Sequence, residues 1–195
     1  MKALVTGFEP FGTLEKNPSW EAVKLIGEQL GENVTVKKLL LPVEYERSAE
    51  ILLQTLAEEK PDVIICTGVA TKRCAVMPEY LAVNVMDSPM PDNSGKTYLY
   101  EKIEEEGEAV LYTSLPFPET LEAIHAAGVP CAPSFDAGTY VCNTLFYRLM
   151  ADLKYNHPNS FGGFIHLPPE TKVASQDVAR ALEAVVLMMA KRTAK

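Results

Sequence analysis

Two residues far apart in this chain carry side chains that could together perform covalent hydrolysis: Cys142 in GTYVCN and His166 in GGFIHLP. A thiol attacks a carbonyl once a base takes its proton, and that base needs a third group to fix its orientation. Leu145, Phe146, Leu149, Met150 and Leu153 are apolar at helical spacing, which predicts a helix over Tyr140 to Lys154 with the thiol in its first turn. Unpaired N–H groups and the positive end of the helix dipole there favour thiolate over thiol. The plainer reading makes Cys142 a small buried hydrophobe, as most free cysteines are. The chain has three histidines. His125 in EAIHAAG falls near a helix C-terminus, where the dipole favours a surface histidine, and His157 in YNHPNS falls in a loop. His166 alone ends a strand, just before Leu167, Pro168 and Pro169, where a general base would be needed; a structural histidine is the alternative.

These groups depend on the elements that carry them. Strand-like runs occur at Ala3–Phe8, Val34–Leu41, Val63–Thr67, Leu81–Met86, Ala109–Leu115, Val129–Ala132 and Phe161–Leu167, several of them apolar throughout, as in strands covered on both faces. Helical patterns lie between them. Asn17 and Pro18 suit an N-cap and first helical position, followed by a stripe of Trp20, Val23, Ile26 and Leu30 and a stop at Gly31. Ser48–Glu59, Glu119–Ala127 and Ser175 to Arg192 follow the same logic. Alternation of this kind predicts one α/β domain over residues 1–195, a three-layer α/β/α sandwich around a twisted, mostly parallel mixed sheet. The segment Gly68–Glu79 shows no helical stripe, so the next strand should return in the antiparallel sense. Ligands gather outside the carboxyl ends of parallel strands. Phe8 and Phe11, Gly68–Arg73, Cys142 and His166 then converge on one cleft. Glu79 reaches the same edge, unless it is an exposed carboxylate at a strand start.

Composition excludes other classes. The 195 residues hold 47% hydrophobic and 23% charged side chains with a formal net charge of −8, which opposes binding to a nucleic-acid backbone. No apolar stretch reaches membrane-spanning length, and MKALVTGF reads as a buried strand rather than a signal peptide. Cys66, Cys74, Cys131 and Cys142 form no CxxC pair and no disulfide framework, so a reducing cytoplasm is expected. GFEPFGT has the glycine spacing of a phosphate loop, but Thr13 stands where the lysine belongs. No GxSxG elbow is present, and the histidines lack metal-ligand spacing, so no cofactor or metal is expected.

Taken in order, GFEPFG with NPS, LPV, PEYLAVN, PDNSGK, AGTYVCN and GFIHLP resemble the pyrrolidone carboxyl peptidases, also called pyroglutamyl peptidase I, over nearly the whole chain. The resemblance implies a cysteine peptidase that removes N-terminal pyroglutamate, with Cys142 as nucleophile, His166 as base and Glu79 as the acid orienting it. It implies a pocket floor from GFEPFG, substrate contacts from Tyr140 and Val141, and a homo-oligomer, dimer or tetramer. Pyroglutamate is a flat lactam without a free α-amine. Phe8 and Phe11 suit its ring faces, and backbone groups near Val69 and Val141 suit its N–H and C=O. A proline in that slot would leave those groups unpaired, which can reject it by ~10⁴-fold. Ordinary loop packing is the alternative for the phenylalanines.

The chain departs from the resemblance at several positions. Family members commonly carry an arginine two residues after the aspartate of DSPMPDN; Pro89 stands there and can donate neither from a side chain nor from its backbone nitrogen. Val69 replaces a common glutamine, Tyr80 replaces an arginine, and the stretch around Lys96–Glu108 is short. A slower peptidase is expected, with Arg73 either supplying the missing charge or serving as a solvated or structural residue. An inactive binder of pyroglutamyl peptides and a nucleoside phosphorylase-like transferase are the competing functions; the second lacks a phosphate site.

Overall fold

The computed structural model describes residues 1–193. Its elements follow in the order β1 (Lys2–Phe8), α1 (Pro18–Leu25), β2 (Thr35–Leu41), α2 (Tyr45–Glu59), β3 (Val63–Val69), β4 (Met77–Pro78), β5 (Leu81–Val83), β6 (Met86–Ser88), β7 (Tyr98–Glu101), β8 (Val110–Tyr112), α3 (Phe117–Ala126), α4 (Val141–Tyr155), β9 (Phe161–Leu167) and α5 (Ser175–Thr193). The main sheet has the strand order β2-β1-β3-β9-β4. Its first four strands are parallel, and β4 runs antiparallel to β9. The antiparallel return expected from Gly68–Glu79 is therefore present, although it is shorter and earlier than a strand starting near Tyr80.

Strand parity decides which side chains meet which helices. Ala3, Val5, Val63, Ile65, Ile165 and Leu167 pack with α1, α3 and α5 on one face. Leu4, Ile64, Cys66 and Phe164 pack with α2 and α4 on the other. Alternate residues of a strand share a face, so Gly68 and His166 belong to the α4 side. α4 fixes that side firmly: Val141, Leu145, Phe146, Leu149 and Leu153 are all buried, and each such side chain contributes about 1.5–3 kcal/mol when fully withdrawn from water. The three-layer sandwich is thus built from the apolar runs and helical stripes visible in the chain.

Three predicted strands lie outside this sheet. β5 pairs with β8 and β6 with β7, in two small antiparallel sheets. Val129–Ala132 makes no strand; Cys131 forms a lone bridge to Val76, with Val76 N–H donating to the Pro130 carbonyl and Ala132 N–H to the Val76 carbonyl. Pro130 and Pro133 lack the N–H donors a longer ladder would need. α1 also ends early. Ile26 turns to extended backbone, and Gly27 N–H donates to Glu183 Oε1 on α5, while Leu30 stays buried without being helical.

Candidate active site

β9 brings His166 to the carboxyl edge of the sheet, and β4 brings Glu79 beside it. Met77 pairs with His166 and Pro78 with Ile165, after which Glu79 N–H donates to the Phe164 carbonyl at 2.9 Å. His166 Nδ1 then lies 2.6 Å from Glu79 Oε1, with the residues 5% and 1% exposed. The Phe164 ring, 4.9 Å from the imidazole, backs it. Against a carboxylate, the Nδ1–H form of the ring is favoured, which leaves Nε2 with a lone pair. The glutamate is buried, unlike the exposed strand-start carboxylate that was the alternative.

Cys142 is the second residue of α4. The helix starts at Val141 because the preceding loop is held down. Asp87 N–H donates to the Thr139 carbonyl at 3.1 Å, Thr139 Oγ1 donates to the Asp87 carbonyl at 2.6 Å, and Tyr140 Oη donates to the Pro91 carbonyl at 3.0 Å. No side chain caps the helix at Tyr140. N–H groups of the first turn therefore have no partner within the helix. Asn143 anchors the same turn from behind, accepting from Val83 N–H and donating to the Val83 and Val85 carbonyls at 3.0, 2.9 and 3.1 Å.

Gly68 is where the thiol meets the sheet. It pairs with His166 across β3 and β9, and a Cβ on it would fall 2.7 Å from Cys142 Sγ and 2.9 Å from the Phe164 ring. A side chain of any kind at position 68 would displace the sulfur. The sequence offered no spacing signal for this approach; a glycine ending a buried strand was the one hint.

Electrostatics at the thiol differ from the expectation for a helix start. Burial pushes the Cys142 thiol up to about 12, the Glu79 charge adds to this, and Arg73 opposes it. Burial also lowers His166 from its ordinary value, with Glu79 acting against that and Arg73 with it. Both shifts favour the uncharged forms, although Cys142 as a residue is only half-buried.

The other nominated residues fall around this centre in different roles. Phe8 ends β1 with only 2% of its surface exposed, packed into the α2–α4 core, and its N–H donates to Ser19 Oγ at 3.0 Å. Phe11 is half-buried against the same cluster. Val69 ends β3 and Val141 begins α4, both buried. Tyr140 stacks edge-on against Tyr45 at 5.3 Å, and burial lifts its phenol to about 12, so it stays a donor. The PDNSGK turn is a brace. Asp92 accepts from the backbone N–H groups of Tyr45, Ser94 and Lys96; although burial pushes its carboxyl up, these bonds and the Ser94 hydroxyl hold it below the usual range. Asn93 Nδ2 donates to Glu9 Oε1 and the Pro10 carbonyl, tying that turn to GFEPFG. Pro89 is exposed on the same loop.

Arg73, unassigned between two readings in the sequence, is part of the site. Its Nη1 lies 2.5 Å from Glu79 Oε1 and its Nη2 2.6 Å from the Asp136 carbonyl. His125 is exposed in the last turn of α3, and His157 approaches Asp152 at 3.6 Å in a loop, so neither joins the centre. A groove of about 830 Å³ between α3 and α5 is walled partly by Ala123, Ala126, Leu187 and Met188, and no cysteine or histidine lines it. Among the described residues, no helix is long and apolar enough to cross a membrane.

Known proteins match the chain over nearly its full length. The family model for pyroglutamyl peptidase matches residues 1–193. The pyrrolidone-carboxylate peptidase of Bacillus licheniformis is 38% identical over 187 residues, covering 95% of this chain and 87% of the relative. That of Brachyspira hyodysenteriae is 38% identical over 196 residues, covering 95% and 97%. Among solved structures, the pyrrolidone carboxyl peptidase of Thermococcus litoralis superposes with a TM-score of 0.93 at 30% identity, covering 99% of this chain and 94% of the other. Bacillus amyloliquefaciens pyroglutamyl peptidase I gives 0.92 at 36% identity, with 97% of each chain covered. With a match over essentially its full length, and a sulfur, an imidazole and a buried carboxylate gathered at one sheet edge, the chain belongs to the pyroglutamyl peptidase family of cysteine peptidases.

Proposed function

We propose that this enzyme releases pyroglutamate from peptide N-termini through Cys142, His166 and Glu79. The supporting observations are the 2.6 Å contact of His166 Nδ1 with buried Glu79 and the seating of the Cys142 thiol against Gly68, the residue paired with His166. The thiol proton passes to His166 Nε2 as Sγ bonds to the carbonyl carbon joining pyroglutamate to the next residue. The oxyanion is held by the Cys142 N–H in the uncapped first turn of α4, an interaction typically worth ~3 kcal/mol. The C–N bond then breaks as His166 returns its proton to the leaving amine. Water, deprotonated by His166, cleaves the thioester and restores the thiol.

Within this reading Phe11 covers one face of the lactam, and the packed Phe8 ring forms a fixed wall. Backbone groups at Val69 and Val141 pair with the lactam amide, and Tyr140 holds the loop that closes the slot. Pro89 leaves the oxyanion without an arginine, which lowers turnover. Four free cysteines support a reducing cytoplasm as the working compartment, and a homo-oligomer is part of the same reading.

The test is release of a fluorescent amine from its pyroglutamyl amide. Turnover that thiol alkylation abolishes and chelators spare is the expected result. Tight binding of the amide without release would assign the chain to the inactive binder instead.

A further inference from the structure

Arg73 lies in the turn after β3, where its N–H donates to the Ala70 carbonyl. Its guanidinium is 21% exposed and spans two parts of the site. One arm meets Glu79 Oε1 at 2.5 Å, the same oxygen that meets His166 Nδ1. The other meets the carbonyl of Asp136, six residues before Cys142, in the loop that feeds α4. Glu79 Oε2 is buried and has no hydrogen-bond partner among the described residues.

We propose that Arg73 is a positioning residue of the reaction, which keeps Glu79 ionised behind a neutral imidazole and thereby fixes the His166 tautomer that can accept the Cys142 proton. This inference rests on the catalytic reading given above. A guanidinium cannot surrender its proton and only donates. An oxygen already accepting from it is a poor place for an added proton, so Oε1 faces Nδ1 as an acceptor. Nδ1 must then carry the hydrogen, and Nε2 must present its lone pair. A proton on Oε2 would be buried without an acceptor. Without Arg73, a fully buried carboxylate beside a neutral ring would carry an uncompensated charge, which costs far more than a paired one. It could shed that charge by taking a proton, and a carboxylic acid donating to Nδ1 would put the ring hydrogen on Nε2, where it blocks the base.

The charged groups acting on His166 are Glu79 from the end of β4, Arg73 from the β3 turn and Asp136 from the loop before α4, and Cys142 on α4 lies against Gly68, which pairs with His166. Arg73 also makes the imidazole a weaker base and a readier donor to the leaving amine. Replacing it shifts activity in one direction by either route. If Glu79 stays charged, His166 loses a repelling cation and protonates at higher pH. If Glu79 takes a proton, activity waits for its loss. Both move the acid limb of kcat/KM upward.

Arg73→Gln is expected to lower kcat/KM at neutral pH by about tenfold or more, within the ~10²–10⁴-fold that a positioned base contributes. Its acid limb should move to higher pH, while Arg73→Lys should hold the limb near its original place. A Gln variant with an unmoved limb, or a folded Lys variant displaced as far as Gln, overturns the proposal. If Gln does not fold, ¹⁵N-histidine spectra of the intact protein at neutral pH decide. An Nδ1–H tautomer at His166 is expected, and an Nε2–H tautomer overturns the inference. Cys142→Ala and His166→Ala run in parallel: turnover surviving either one sinks the catalytic reading itself, whereas their loss beside an unmoved Gln limb sinks only the role of Arg73.

Discussion

α1 and α4 both begin beside the carboxyl edge of the sheet, yet their first turns are finished differently. At α1, Asn17 Oδ1 accepts from Ser19 N–H at 3.0 Å and from Ser19 Oγ at 2.8 Å, Pro18 removes one free N–H, and Glu21 lies in the first turn. Every feature answers the positive end of the helix. At α4 no side chain caps Tyr140, no acid lies in the first turn, and the thiol of Cys142 stands among the open donors. A capped turn is stable and inert; an open one at a buried position must be matched by something that arrives. α1 uses its cap to hold the backbone of Phe8 through Ser19, and α4 leaves its first-turn donors without a side-chain partner.

The sharpest way to break this contrast is to remove the thiol. Cys142→Ala should lower kcat by at least ~10⁴-fold, since loss of a nucleophile typically costs more than loss of any supporting group. Its thermal midpoint should barely move, because α4 is held by its apolar face and by Asn143 rather than by Cys142. Amide release near the unmodified rate would remove any special role from the open turn.

Gly68→Ala tests how closely the open turn is fitted to the sheet. The new methyl would overlap Cys142 Sγ at 2.7 Å and Phe164 at 2.9 Å, both hard to move. Misplacing a reacting atom by about 1 Å can cost ~10²-fold, so activity should fall by about that factor. Burst titration of the thiol should show it present but slow. A kcat within twofold of the parent would mean that the sulfur does not work from this position.

Asn17→Ala acts on the other helix and should separate stability from chemistry. Loss of such a cap costs typically ~1 kcal/mol, or roughly 2–4 °C in Tm for a chain of this size. Turnover should stay within about twofold, read from the same fluorescent assay beside a melting curve. A variant with normal Tm and badly impaired kcat would mean that the α1 turn belongs to the reaction after all.

The same contrast explains what was legible in the chain. Val63–Thr67 and Phe161–Leu167 announced themselves because strands covered on both faces must be apolar throughout, and the α4 stripe fixed Cys142 in a first turn for the same reason. Asn17–Pro18 was readable because capping is local. Leu81–Met86 was read as one strand where β5 and β6 are separate, and β7 was missed, because short, half-covered strands carry too little pattern to say where they end or which partner they choose. Arg73 could be noticed but not assigned, since its contact with Glu79 depends on where β4 joins β9. The helix dipole could be read at Cys142 but the opposing effect of burial could not, because burial is a property of the packed site and not of the segment.

Pro89 offers the smallest expected effect and tests whether the open turn of α4 is sufficient by itself. Its loop is tied to the approach of α4 on both sides, by Asp87 to Thr139 and by Pro91 to Tyr140, three and two residues before Cys142. Position 89, between these two ties, is exposed enough to accept a long replacement. Proline tolerates no hydrogen bond from its own nitrogen, so Pro89→Arg breaks no existing one. The new guanidinium would add charge where the first-turn N–H groups now act alone. In a partly solvated site this should be worth about 1 kcal/mol, which raises kcat about fivefold with little change in KM. Steady-state kinetics on the pyroglutamyl amide measure both terms. A well-folded variant with equal or lower kcat would show that backbone donors already meet the oxyanion's need, and that the proline costs this enzyme nothing.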